Sequence, residues 1–265
     1  MATVKKLCVK HRQHFAYSSL RTNLNLATIF TFDALFRDLF TDNAGRCSHH
    51  NASVYLALVY LGFNVHLIKA SMANPDNNLV PREIPAHLAI ILMLNDQRYL
   101  VDPGGYALFT VLKFPFNNMK NSSASENSSN YRVVERPAET LRFALQFQAR
   151  KLWHNLHFFS TDPIEISDLN PSLHYLNSPE NPNHYNIVIL MFHRGSLYCL
   201  RDRDIKITRP LSKVYIEQPS IHYALTTFGQ VNTKFFEVSN IAQSLLSEHG
   251  LESDYLADKV RFSYR

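Results

Sequence analysis

Cys47 is the residue whose surroundings best suit nucleophilic chemistry. The apolar positions between 54 and 61 recur at helical spacing and predict a helix that begins near Cys47, and Gly62 stands where a helix C-terminal glycine belongs. Free N–H groups and the dipole at a helix N-terminus favour a thiolate and can also bind a developing oxyanion. The alternative, a small buried apolar cysteine, is left open by this local pattern.

Two residues further along the chain could complete a catalytic group with Cys47. His87 begins an apolar strand and Asp102 ends the next one, so a β-hairpin would carry both. His87 would take the thiol proton, and Asp102 would fix the tautomer and orientation of the imidazole. A turn at positions 96–97 would place Asp102 opposite Ile91, on the face of His87 but about 13 Å along the strand from it. That register leaves the separation unexplained.

The elements that position these residues follow from changes in the hydrophobic period. Residues 1 to about 62 are predicted to be largely helical, and polar stretches at 74–85 and 117–130 to be surface loops. Strands are predicted at 65–68, 87–94, 98–102, 187–192, 196–200, 204–207 and 233–236, with irregular chain at 163–183 and a final helix at 241–249. Helices followed by a run of strands and a mixed end indicate an α+β fold.

Composition narrows the class of protein. The chain has 265 residues, 46% hydrophobic and 18% charged, which is typical of a globular protein. Three cysteines without a C-x-x-C pair do not form a disulfide framework or a zinc ribbon, and 7 glycines argue against a Gly-rich phosphate loop. The net charge of +5 suits either a phosphate-bearing cofactor or an ordinary solvated surface. With no nucleic-acid motif, membrane span or signal peptide recognised, we expect a cytoplasmic protein without nucleic-acid or membrane partners.

Two segments of the chain resemble the arylamine N-acetyltransferase family, whose members carry a Cys-His-Asp triad on a core shared with papain-like and transglutaminase-like enzymes. The specific matches are Gly45-Arg46-Cys47, Asn51 and Leu61-Gly62-Phe63 in the nucleophile segment, then His87 before an apolar run, and Tyr99, Val101, Asp102 and Gly104 in the Asp segment. Looser matches at His11 with 15–20, and at Asp168 with 175–179, extend the resemblance over nearly the whole chain.

The resemblance implies a fold, a site and a reaction. It implies a helical N-terminal region (1–63) carrying the nucleophile, a β-rich central region (64–185) with a barrel-like antiparallel sheet, and a C-terminal α/β lid (186–265). Cys47, His87 and Asp102 would be catalytic, and Gly104 and Tyr175 would border coenzyme A. An acetyl or other short acyl group would pass from acetyl-CoA to an aromatic amine, hydrazine or hydroxylamine through Cys47, without a metal.

The sequence also departs from the family's pattern. Asn43-Ala44 stand in place of Arg-Gly, His49 replaces a common acidic or amide residue, and Gly105 replaces a Phe that lines the acceptor pocket. These changes bear on acceptor preference more than on the triad. Two alternatives therefore stay open: an amide synthase or hydrolase of the transglutaminase-like group, and a relative that binds without catalysing.

Other residues receive less weight. A metal site built from Cys47, His49, His50 and His87 matches no common zinc spacing. The remaining histidines, among them His157, show no partner pattern and are interpreted as surface or structurally satisfied residues. Cys8 and Cys199, which lack His and Asp partners in the sequence, are interpreted as structural.

Overall fold

The computed structural model describes residues 1–26, 29–73, 87–105, 111–114, 131–136, 141–149, 151–178, 186–202, 204–209, 212–218 and 220–249. The loops predicted at 74–85 and 117–130 lie outside these residues. The chain forms two compact units: a first unit of Met1–Val9, Phe30–Phe32 and Asn51–Ser172, and a second unit of Lys10–Ile29, Asp33–His50 and Leu173–Arg265. The three-region division at 63 and 185 stays a prediction.

Helices and runs of strands are largely segregated along the chain, which agrees with the α+β prediction. The helices are α1 (Ala2–His14), α2 (Leu20–Asn23), α3 (Phe32–Asp42), α4 (Cys47–Tyr60), α5 (Ser172–Leu176), α6 (Ile221–Gly229) and α7 (Thr233–Glu248), with a 3-10 helix at Ile166–Leu169. The strands are β1 (Ala16–Ser18), β2 (Ala44–Gly45), β3 (Asn64–Met72), β4 (His87–Leu94), β5 (Gln97–Val101), β6 (Val111–Phe114), β7 (Tyr131–Glu135), β8 (Phe143–Ala149), β9 (Leu152–Phe159), β10 (Val188–His193), β11 (Ser196–Arg201), β12 (Asp204–Arg209) and β13 (Ser212–Glu217). Within the described residues, no helix is long and apolar enough to cross a membrane.

A seven-stranded antiparallel sheet forms the body of the first unit. Its strand order is β6-β5-β4-β3-β9-β8-β7, and β6 also contacts β7, so the sheet is nearly closed, as the barrel-like prediction requires. Strand β4 is buried from His87 to Leu92 because neighbours cover both of its faces, which explains its unbroken apolar run. Ile68, Ile91, Leu145 and Phe159 lie in the core on one face of this sheet.

The β4–β5 hairpin has a different register from the one predicted. Its turn residues are Asn95 and Asp96, with φ of 50° and 55°, a backbone that Asn and Asp tolerate better than most residues. Ile91 pairs with Leu100 and Ile90 with Val101. Continued by one residue, this register brings Asp102 level with position 89, two residues from His87. The predicted turn at 96–97 was wrong, and so was the four-residue offset.

The second unit is built on a six-stranded sheet in the order β13-β12-β11-β10-β1-β2. Helices α6 and α7 contribute Phe228, Phe235 and Val238 to its core. The hairpin predicted at 187–200 is confirmed, with a two-residue turn at Arg194-Gly195. The strand predicted at 233–236 is wrong: the Asn232 side chain accepts hydrogen bonds from the backbone N–H groups of Lys234 and Phe235 and starts a helix there.

Helix α4 begins at Cys47, as the sequence predicts. Its end is fixed by Gly62, whose φ of +77° lets the Phe63 N–H reach the Leu58 carbonyl at 3.0 Å. The predicted helical character of residues 1–62 is confirmed for α1, α3 and α4, but the short strands β1 and β2 interrupt it.

Candidate active site

His87 and Asp102 form a buried hydrogen-bonded pair in the first unit. His87 Nε2 lies 2.9 Å from Asp102 Oδ2, and the two side chains are 3% and 1% exposed. Because a carboxylate only accepts, Nε2 carries the hydrogen, and a neutral His87 keeps its Nδ1 lone pair for another proton. The sheet places the pair: His87 opens β4, and Asp102 directly follows β5, the strand beside it. The two residues predicted as base and orienting carboxylate are thus hydrogen-bonded to each other, and their catalytic roles stay a prediction.

Asn51 holds the carboxylate from helix α4. Its Nδ2 donates to Asp102 Oδ1 at 2.8 Å and also to the Leu88 carbonyl, and its Oδ1 accepts from the Gly104 N–H at 2.9 Å. The side chain is fully buried. Asn51 therefore connects the beginning of β4 with the chain after β5, and fixes both ends of the His87–Asp102 pair. The sequence marked Asn51 as a motif position but did not predict this role.

The charge on Asp102 is stabilised by its partners. Burial would raise the pKa of this carboxyl, but the charge of His87, the hydrogen bond from His87, the charge of His157 and the Asn51 amide outweigh it and lower the pKa to about 2. Asp102 is therefore a carboxylate across the physiological pH range. A fixed negative charge at this position orients the imidazole and stabilises the imidazolium form.

His157 is a further residue of this cluster that the sequence interpretation missed. It lies on β9, is 5% exposed, and its ring centroid is 4.3 Å from that of His87. Its Nδ1 is 3.7 Å from Asp102 Oδ2, and the ligating atoms of His87, Asp102 and His157 all lie within 4.8 Å of one another. A histidine among the apolar residues of 156–159, a segment for which no strand is predicted from the sequence, was the available signal, because a polar ring in an apolar segment is often buried and then requires a polar partner.

Gly105 is required by its contact with Asp102. A Cβ built on Gly105 would lie 2.6 Å from Asp102 Oδ2, closer than real Cβ atoms approach. The absence of a side chain at this position therefore lets the chain turn tightly around the carboxylate. Contact with Asp102 therefore explains why glycine stands at position 105, in addition to the effect on the acceptor pocket expected from the resemblance.

Cys47 stands at the first residue of α4, half-buried, in the second unit. The segment before it is held from both sides: the Arg46 N–H donates to His49 Nδ1 at 3.2 Å, and Arg46 Nη1 donates to Thr22 Oγ1 at 2.7 Å. Gly45 is in close contact with His49, since a Cβ there would lie 2.5 Å from that of His49. The backbone that presents Cys47 is thus built rigidly. The pairing of Cys47 with His87 stays a prediction.

His49 and His50 serve as hydrogen-bonding groups beneath this segment. His50 Nε2 lies 3.0 Å from the carbonyls of Ala16 and Gly45, and its Nδ1 is 2.9 Å from His11 Nε2. His50 is therefore the Nε2–H tautomer and accepts from His11. Burial lowers the pKa of His49, and burial followed by the charge of His11 lowers that of His50 well below its usual value. The metal alternative considered for Cys47, His49, His50 and His87 thus involves His50, whose two ring nitrogens both have protein partners. It also involves His49, whose Nδ1 accepts from Arg46 and whose buried Nε2 lies 3.9 Å from Asp38 Oδ2.

Comparison with known proteins decides the family. A family model described as N-acetyltransferase matches residues 1–226. The chain belongs to the arylamine N-acetyltransferase family. A curated relative, the arylamine N-acetyltransferase pineal gland isozyme NAT-3 of Gallus gallus, is 25% identical over 139 residues, which are 51% of this chain. That alignment spans 46% of the relative's own length.

Solved arylamine N-acetyltransferase structures share the fold. The Mycobacterium marinum enzyme, solved in complex with CoA, superimposes with a TM-score of 0.74 at 19% identity, covering 94% of this chain and 92% of that one. The enzyme of Bacillus cereus, described as having a Cys-His-Glu catalytic triad, gives a TM-score of 0.69 at 16% identity, covering 84% and 87%. At these identities the likeness establishes the architecture.

The two residues predicted to border coenzyme A, Gly104 and Tyr175, belong to different units. Gly104 is buried in the first unit, and its N–H is bound to Asn51. Tyr175 lies half-buried on α5 in the second unit. Their contacts with coenzyme A stay predictions.

Proposed function

We propose that this protein transfers an acetyl group from acetyl-CoA to an aromatic amine, hydrazine or hydroxylamine through a thioester on Cys47. The observation that carries the proposal is the buried 2.9 Å bond between His87 and Asp102, held in place by Asn51. Asn51 follows Cys47 by four residues in α4, and residues at this spacing lie on one helix face. The helix that presents the sulfur therefore also presents the amide that fixes the carboxylate.

The acyl-transfer steps follow from the protonation states. His87 Nδ1 accepts the Cys47 thiol proton, which gives a thiolate and an imidazolium stabilised by Asp102. Cys47 Sγ forms a bond to the acetyl carbon, and the carbonyl π electrons move onto oxygen. The backbone N–H groups at the start of α4 would stabilise that oxyanion. The oxyanion collapses with cleavage of the carbon–sulfur bond to coenzyme A, and the proton on His87 passes to the departing thiolate.

The second half-reaction uses the same groups in reverse. The acceptor nitrogen attacks the Cys47 thioester, and His87 removes a proton from that nitrogen. The carbon–Sγ bond then breaks, which releases the acetylated amine and restores the Cys47 thiolate beside the His87 imidazolium. Steady-state kinetics should therefore be ping-pong.

Gly104 and Tyr175 are the residues proposed to border coenzyme A. Gly104 is buried and its N–H is bound to Asn51, so it would offer its carbonyl. Tyr175 would contribute an aromatic contact. The net charge of +5 is compatible with the phosphates of coenzyme A. A cytosolic location, where acetyl-CoA is available, completes the proposal.

An acceptor screen tests the proposed activity. Purified protein is incubated with acetyl-CoA and a panel of arylamines, arylhydrazines and arylhydroxylamines, and the release of free coenzyme A thiol is measured. Replacing Cys47 by Ala should reduce turnover more than about 10³-fold, because the nucleophile is lost. Cys199→Ala, which alters a half-buried cysteine of β11, is the control and should retain activity. Turnover by Cys47→Ala close to that of the unmodified protein would refute the proposal.

The same screen separates the alternatives. An amide synthase or hydrolase of the transglutaminase-like group would also form an acyl-enzyme, but water or another acyl donor would take part in its turnover. Thiol release that does not depend on an amine would favour the hydrolase. No thiol release with any acyl-CoA would favour either a binding protein or a synthase or hydrolase that uses another acyl donor.

A further inference from the structure

His157 contacts both members of the His87–Asp102 pair, yet the proposed reaction assigns it no step. Its ring centroid lies 4.3 Å from that of His87, and the two ring planes are tilted by 31°. Its Nδ1 faces Asp102 Oδ2 at 3.7 Å. At 5% exposure, the ring is enclosed by protein. A buried polar ring in this position restricts how far the His87 imidazole can rotate.

The charge state of His157 suits a positioning role. Burial, followed by the charge of His87, lowers its pKa to about 3, although Asp102 acts in the opposite direction. His157 is therefore neutral near pH 7. A hydrogen on Nδ1 would face the carboxylate favourably, whereas a lone pair there would be repelled. A neutral His157 does not compete for the proton that His87 must accept and return.

Within the part of the chain that the structure describes, His87 and Asp102 are the charged groups that act on His157. On its two neighbouring strands its partners are Met72 on β3 and Leu145 on β8. The partner of His87 on β3 is Ala70. From α4, Asn51 contributes a neutral amide that is already bound to Asp102. Among the described residues, the titratable groups that interact with His157 are therefore His87 and Asp102.

We propose that His157 is a positioning residue whose ring packs against His87 and keeps the His87 Nε2–H on Asp102 Oδ2. The proposal rests on the proposed function in taking His87 as the base for Cys47. It explains why a polar ring stands in a strand segment otherwise filled by Leu156, Phe158 and Phe159.

Three substitutions of His157 distinguish the effect of the aromatic ring from the effect of side-chain volume. His157→Ala removes the ring, and His157→Leu fills much of the space without an aromatic face. His157→Phe retains the ring contact. His154→Ala is the matched control, since His154 lies on the same strand with its ring against Phe147. Circular dichroism identifies the folded variants, and His157→Leu takes the place of His157→Ala if the latter unfolds.

The first readout is the pH dependence of Cys47 alkylation by iodoacetamide, in a Cys199→Ala background. His157→Ala and His157→Leu should slow alkylation at neutral pH by about ten- to a hundredfold, the cost of misplacing a reacting group by about 1 Å. The midpoint of the profile should move to higher pH, because a poorly oriented imidazole stabilises the thiolate less. His157→Phe and His154→Ala should stay near the unmodified protein. Unchanged profiles in the Ala and Leu variants, or an equal loss in His157→Phe, would overturn the proposal.

The second readout does not depend on activity. The His87 N–H that is bound to a carboxylate should give a strongly downfield proton resonance by NMR, which Asp102→Asn identifies by removing it. The signal should be lost or broadened in His157→Ala and retained in His157→Phe. If the unmodified protein fails to turn over acetyl-CoA but the resonance follows this pattern, the proposed function fails and the positioning role stands. A sharp, unmoved resonance in His157→Ala contradicts the positioning role.

Discussion

At the scale of single residues, the orientation of the Asp102 carboxylate depends on a small number of hydrogen bonds. One oxygen faces His87 and the other faces Asn51, and both contacts are buried. In a buried site, the loss of one partner leaves several groups unsatisfied together, and each such group costs about 1–3 kcal/mol. Replacing Asn51 should have a large effect of this kind, because its side chain binds three groups from two parts of the chain.

Replacing Asn51 should therefore affect stability and catalysis together. Asn51→Ala leaves Asp102 Oδ1, the Leu88 carbonyl and the Gly104 N–H without this partner, and should lower the free energy of unfolding by on the order of 3 kcal/mol. Urea denaturation measures the loss. The half-buried Asn155, which accepts from Gln146, provides a control whose Ala variant should lose less. Equal losses in the two variants would show that the Asn51 contacts are not formed as described.

At this scale, the sequence predicted the residues whose side-chain chemistry by itself suggests a catalytic role. His87 and Asp102 were predicted as a pair, and the structure confirms their hydrogen bond. His157 was missed because its significance comes from a strand that is 70 residues away from His87 in the chain. The β3–β9 pairing brings the two together, and no local pattern reports such a contact.

At the scale of elements, the β4–β5 hairpin decides whether the pair can form. The turn at Asn95-Asp96 fixes the register, and a slip of one residue would direct Asp102 to the opposite face of the sheet. The sequence predicted both strands, but it placed the turn one residue too late. The position of the turn depends on which residues accept a positive φ. The sequence alone did not distinguish a turn at Asn95-Asp96 from one at Asp96-Gln97. The strand predicted at 233–236 failed for a related reason, because the cap at Asn232 outweighed the local β-propensity.

The chain after β5 gives a prediction at this scale. Gly105→Ala would force a Cβ against Asp102 Oδ2, so the carboxylate or the turn must move. We expect turnover to fall by at least tenfold and the unfolding free energy to fall by about 1–3 kcal/mol, as for overpacking. Gly62→Ala is the comparison: its φ of +77° makes Ala strained, but nothing lies within 4 Å of the added Cβ.

The Gly62 variant should lose stability of about 1 kcal/mol and keep its acetyl-transfer rate. Steady-state kinetics and thermal unfolding of both variants provide the measurements. Comparable kinetics in the two variants would contradict the proposed contact between Gly105 and Asp102.

At the scale of the whole molecule, buried neutral histidines make stability depend on pH. Burial is the first cause that lowers the pKa of His11 to about 4 and of His157 to about 3, and it also lowers those of His49 and His50. Each of these groups binds a proton more readily in the unfolded chain, where its pKa is near 6.5. Below that pH the unfolded state therefore takes up protons first, and folding is penalised.

The free energy of unfolding should consequently fall as the pH is lowered from about 6.5 towards 4, by up to about 1.4 kcal/mol per pH unit for each such histidine. Asp102 adds to the same trend at lower pH: its carboxylate stabilises the folded state above the ordinary pKa of 3.8, and this stabilisation is lost as the pH falls towards the folded-state pKa of about 2. Urea titrations at several pH values measure the slope, and His157→Phe should reduce it while His154→Ala should not. A stability that stays constant between pH 6.5 and 4.5 would contradict the description of these rings as buried and neutral.

The central claim is that Cys47 carries the acyl group. Its most direct measurement is the intact mass of the protein after incubation with acetyl-CoA and no acceptor, followed by peptide mapping. We predict an adduct of one acetyl group on the peptide containing Cys47, absent in Cys47→Ala, and discharged when an arylamine is added. An unmodified Cys47 with every acyl-CoA tried, or an acetyl group located on another residue, would contradict the account.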